Sequence, residues 1–124
     1  TAGLAFGGYN SVTATESFIG TSWTTVTSMN TGGTGLAGAG IQTAALGFGG
    51  YLAPGVTLSA VTESYNGTSW TSNPTGLATA RRNVGASGSQ TAGLFTCGDA
   101  GTANTASTEE WTGSALQTKT ITVS

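Results

Sequence analysis

The sequence has 124 residues, a formal charge of −2, three basic side chains and no histidine. So little positive charge leaves no electrostatic footprint for a phosphate backbone or an anionic lipid surface, which argues against nucleic-acid and membrane binding. Charged residues make up only 6% of the chain while the hydrophobic fraction is 37%, so hydroxyls and backbone amides must coat the surface, and regularly recurring aromatics favour folded all-β structure over disorder.

No apolar run approaches the ~20 residues of a membrane helix. The N-terminus has neither a basic signal region nor an initiator Met, which reads as trimming from something longer. The single Cys97 excludes an intrachain disulfide framework and is expected to be a small buried hydrophobe.

In chain order, a first unit covers about residues 1–34. It opens with Thr1-Ala-Gly-Leu-Ala-Phe-Gly-Gly8, a strand in which Leu4 and Phe6 share one face and small residues occupy the other. Thr15-Glu-Ser-Phe-Ile-Gly-Thr-Ser-Trp-Thr24 follows as two strands joined by a turn at Ile19-Gly20.

A second unit, 35–82, adds a Gly/Ala-rich strand at 35–42. It then repeats both blocks, as Thr43-Ala-Ala-Leu-Gly-Phe-Gly-Gly50 and Thr62-Glu-Ser-Tyr-Asn-Gly-Thr-Ser-Trp-Thr71. Asn66-Gly67 there is a strong hairpin signal, with positive φ expected at both positions. Asn66-Gly67-Thr68 also fits a glycosylation sequon, but the turn accounts for the same residues.

A third unit, 83–124, has decayed copies, Thr91-Ala-Gly-Leu-Phe-Thr-Cys-Gly98 and Thr108-Glu-Glu-Trp-Thr-Gly113, and closes with the alternating Gln117–Ser124. The units therefore predict strands b, c and d in the first and a to d in the other two. With a period of about 47 residues, this is the build of a β-propeller of four-stranded antiparallel blades.

The repeat resembles the kelch family, which combines a Gly-Gly doublet, a following aromatic, a Trp and an Arg before strand a. Gly7-Gly8 and Gly49-Gly50 match the doublet, Phe18 and Tyr65 the aromatic, Trp23 and Trp70 the Trp, and Arg81 or Arg82 the Arg. Thr34 stands where the second unit has Arg82, and the third unit has Trp111 in the aromatic slot and no Trp in the Trp slot. The wording of the repeat resembles still more closely the kelch-like proteins of environmental tailed bacteriophages. That resemblance implies a virion or extracellular module, and a ring completed by self-association or by the remainder of a longer chain.

Candidate residues divide into structural and binding sets. Glu16, Glu63 and Glu109 recur before the aromatic and are read as anchors, hydrogen-bonded to backbone of an adjacent unit, since copies spread around a ring are too far apart to act as a catalytic pair. Trp23 and Trp70 are expected to lie buried between sheets, and Gly49 and Gly50 to end strand b.

The b-to-c and d-to-a loops should share one face, bringing Tyr9, Tyr51, Arg81 and Arg82 to one side and leaving the Asn66-Gly67 turn opposite. Exposed Tyr and Arg there suit a carbohydrate or protein ligand, although for either Arg a repeat Glu or a loop carbonyl is the more readily expected partner.

Enzyme chemistry has little to work with. Without His a general base near neutral pH is hard to supply, no Ser sits in a nucleophile-elbow context, and Gly32-Gly-Thr-Gly35 lacks a phosphate-loop Lys. No catalytic residue, metal or cofactor is expected. The alternatives to a non-catalytic recognition module are an architectural spacer or a propeller slice of a galactose-oxidase-type enzyme, which would need His ligands.

Overall fold

The computed structural model describes residues 1–55, 57–113 and 116–119, and the described residues are all-β and antiparallel. Strands β1 (Gly3–Phe6), β2 (Thr15–Phe18) and β3 (Trp23–Val26) form a three-stranded sheet in chain order. β4 (Ala37–Ile41) and β5 (Ala44–Phe48) begin a second sheet. A loop then carries the two-residue strands β6 (Tyr51–Leu52) and β7 (Thr57–Leu58), which pair with each other.

The second sheet resumes with β8 (Thr62–Tyr65) and β9 (Trp70–Ser72), giving the order β4-β5-β8-β9. β10 (Gly85–Gly88), β11 (Gly93–Thr96), β12 (Thr108–Trp111) and β13 (Leu116–Lys119) make a third sheet in that order. β13 falls on the expected last strand, whose remaining residues 120–124 lie outside the described residues.

The sheets stack through the Thr-Ala-x-Leu strand of each unit, strand b (β1, β5 and β11, followed by strand c as β2, β8 and β12), because its two faces differ. On β5, Leu46 and Phe48 are fully buried in a cluster with Leu77, Phe95 and Trp111 of the second and third units. Its opposite face carries Ala45 and Gly47. A Cβ on Gly47 would lie 2.9 Å from the Phe6 ring, so the missing side chain makes the slot that the first unit's Phe6 enters. Met29, Tyr65 and Trp70 complete this second cluster, with Leu4, Phe6, Val26 and Leu36 packed against it.

The third unit answers the same problem differently. Phe95 stands where the second unit has Gly47 and places its ring 3.7 Å from that of Phe48. The slot is filled from the receiving side.

Three expectations need correction. Trp23 is 54% exposed, whereas Trp70 is 5% exposed. The Trp slot faces the preceding unit, so Trp70 packs on Phe6, while Trp23 touches only its own neighbour Phe18 among the aromatic contacts.

Cys97 is exposed, because it occupies the first doublet position, where φ is +58°, against +71° at Gly7 and +69° at Gly49. At Asn66-Gly67 only Gly67 has positive φ. The Asn66 side-chain oxygen instead accepts from the amides of Thr68 (3.0 Å) and Ser69 (2.9 Å), closing the turn locally.

Candidate functional site

The repeated carboxylates sit at the junctions between units. Glu63 is 1% exposed. One of its oxygens accepts from the Thr31 amide (2.6 Å), the other from the amide (2.9 Å) and side chain (3.2 Å) of Asn30, all from the loop of the preceding unit. The Asn30 side chain also donates to the Trp70 carbonyl at 3.1 Å.

Glu109, equally buried, accepts from the Ala78 amide at 2.9 Å and from the Arg81 guanidinium at 2.6 Å. Glu16, with no preceding unit among the described residues, is exposed and has no side-chain partner there.

Arg81 is therefore removed from the ligand-binding set. It is 0% exposed, held by Glu109 and by the Ser107 carbonyl at 3.1 Å. A guanidinium in that position ties Glu109 to the loop at the unit junction and has no access to a ligand.

The remaining three candidates do lie along one face. Tyr9 is 84% exposed and borders an open cleft of about 280 Å³ with Asn10, Thr34, Tyr51, Ala53 and Pro54. Positive φ at both Asn10 and Ser11 turns the loop back sharply after Tyr9. The Ser11 hydroxyl accepts from the Ala53 amide at 2.6 Å, and its own amide donates to the Thr34 hydroxyl at 3.3 Å. Thr34 and Tyr51 exchange backbone hydrogen bonds at 3.0 and 2.9 Å. The cleft floor is thus pinned by loops from both units.

Tyr51 is half-buried, with the Arg82 guanidinium 5.1 Å from its ring centroid. Arg82 is held in turn by Asp99 at 2.8 Å. The Gly101 amide, and after it Arg82, stabilise the ionised form and lower the Asp99 carboxyl below its ordinary value. Across the molecule, a Cβ on Gly67 would touch Thr43, so the Asn66 turn lies with the connection between β4 and β5.

Sequence reasoning missed three participants. Gln42 and Gln90 lie just past the first strand of their units and reach back to the preceding unit: Gln42 bonds the Ser17 hydroxyl and the Phe18 carbonyl, and Gln90 bonds the Tyr65 and Ala45 carbonyls. Their shared place in the repeat was the available signal. Asp99 had none, since no other unit carries an acid there.

Among the described residues no three His, Cys, Asp or Glu side chains come together as a metal site, and no helix is long and apolar enough to cross a membrane. No protein-family model matches the sequence, and no curated protein matches it.

Proposed function

We propose that this chain is part of a kelch-like β-propeller serving as a non-catalytic recognition module on a virion or other extracellular surface, with carbohydrate as the ligand class. The observation that carries the reading is the cleft between Tyr9 and Tyr51. An exposed aromatic ring stands over a floor of Thr, Asn and backbone groups, the combination that stacks on a sugar face and bonds its hydroxyls. The directional packing of successive units supports the propeller, and the open faces of the first and third units call for further units or copies to cover them.

A second reading, a purely architectural spacer, is favoured by Arg82. Its guanidinium already covers one side of Tyr51 and ties it to Asp99. A glycan array with the wild-type protein separates the two. Replacement of Tyr9 and Tyr51 by Ala is expected to weaken a bound glycan by about 1 to 3 kcal/mol with little change in melting. An empty array favours the spacer, and a glycan held on the Asn66 side overturns the cleft.

A further inference from the structure

A large open groove lies between β1 and β4. It has a volume of about 720 Å³ and is lined by residues 2–6 of the first unit and by Leu36–Thr43 and Ala45 of the second. In the second sheet β4 pairs with β5, and in the third β10 pairs with β11, each at the strand-b edge away from strand c. Among the described residues β1 pairs with β2 on one side and with no strand on the other. The Gly7 amide bonds the Ala14 carbonyl on the β2 side, so by strand alternation the peptide groups of Leu4 and Phe6 face the open edge.

We propose that this groove is a strand-addition site, and that its occupant is an extended Gly/Ala-rich segment of the β4 type, bound antiparallel to β1. The chemistry of the occupant follows from the two filled examples. Opposite Leu46 and Phe48 the paired residues of β4 are Ala39 and Ala37, and opposite Leu94 and Thr96 those of β10 are Ser87 and Gly85.

These positions must be small because the first strands of successive units run close together, as β10 does beside β4. β4 is prepared for a second such neighbour on its other face, where Gly38 and Gly40 are exposed toward the groove. The site is thus continuous with an interface already present in the chain. Backbone hydrogen bonds give affinity, and the narrow gap selects small side chains. The inference needs only the β1 edge and the two filled examples, and holds whether or not the sheets close a ring.

The test adds a capped peptide with the sequence of residues 35–42, Gly-Leu-Ala-Gly-Ala-Gly-Ile-Gln, to the full chain and follows amide hydrogen exchange. Saturable binding is expected, with exchange at Leu4 and Phe6 slowed at least about ten-fold. A peptide carrying Ala37→Leu and Ala39→Leu keeps every backbone group but overfills the gap, and should bind at least about ten-fold more weakly. Because the changes are in the peptide, folding of the protein is not at stake. No saturable binding up to millimolar peptide, equal binding of the Leu variant, or protection confined to another strand would overturn the proposal. So would protection of Leu4 and Phe6 by self-association alone. None of these outcomes bears on the Tyr9–Tyr51 cleft.

Discussion

The junction between the first and second units and that between the second and third share one plan and differ in its details. Both bury a Glu against the loop of the preceding unit, but Glu63 is satisfied by Asn30 and two amides, and Glu109 by one amide and Arg81. At the first junction the Trp70 indole donates to the buried Thr15 hydroxyl at 3.0 Å. At the second, the equivalent Thr62 is fully buried and its hydroxyl has no partner among the described residues, because the third unit has no Trp in that slot. Its Trp111 donates to the Gln90 carbonyl at 2.7 Å instead. A repeat can thus keep its buried carboxylate while exchanging the donors around it, and an exchange of aromatics can leave a polar group stranded.

The comparison can be broken most severely at the tryptophans. Trp70→Ala should cost about 3 to 5 kcal/mol in urea unfolding followed by circular dichroism, while Trp23→Ala should stay within about 0.5. Equal effects would mean that the face of the first sheet is covered as the second is.

Arg81→Ala leaves Glu109 buried without its cation and should cost about 3 to 5 kcal/mol. Asn30→Ala, which leaves two amides on Glu63, should cost about 1.5 to 3. A reversed order would show the carboxylate to depend on amides more than on its cation.

The threonines sharpen the contrast with a change of sign. Thr15→Val strands the Trp70 indole and should destabilise by about 1 kcal/mol, whereas Thr62→Val removes an unpartnered hydroxyl and should be neutral or stabilising by about 1.

The smallest effect is the pH response of Asp99. Its carboxyl is depressed in the folded state, so its contribution is present above the unfolded-state pKa and is lost as pH falls through the folded one. Acidification below the ordinary carboxylate range should loosen Arg82 and speed exchange of the Gly101 amide, with no comparable change at the Thr34–Tyr51 pairing.

Much of this arrangement was legible in the sequence, because the repeat fixes strand order and the alternation of Leu and Phe with Gly and Ala fixes which face is which. The anchoring role of Glu63 and Glu109 was also readable from recurrence. Local sequence could not distinguish Trp23 from Trp70, since both follow the same Gly-Thr-Ser and their burial depends on the unit in front. Cys97 misled because its chemistry suggests an interior while its backbone position demands a conformation natural to glycine. Arg81 and Arg82 are adjacent and alike, yet one is sealed beneath the junction and the other lies on Tyr51. Only the tertiary path of the loop separates them.

The unlike faces of strand b have one more consequence. Leu and Phe project toward the following unit, while Gly, Ala and the buried Glu receive from the preceding one, so each unit carries a donor side and an acceptor side. Such a stack has a polarity, like a row of cups. Two copies cannot meet through a two-fold axis on these surfaces, but any copy of the unit can be added at either end in the same sense. Gene duplication could therefore lengthen the array without inventing a new contact, and the variation between units would accumulate where the cups touch least, in the loops around Tyr9 and Tyr51.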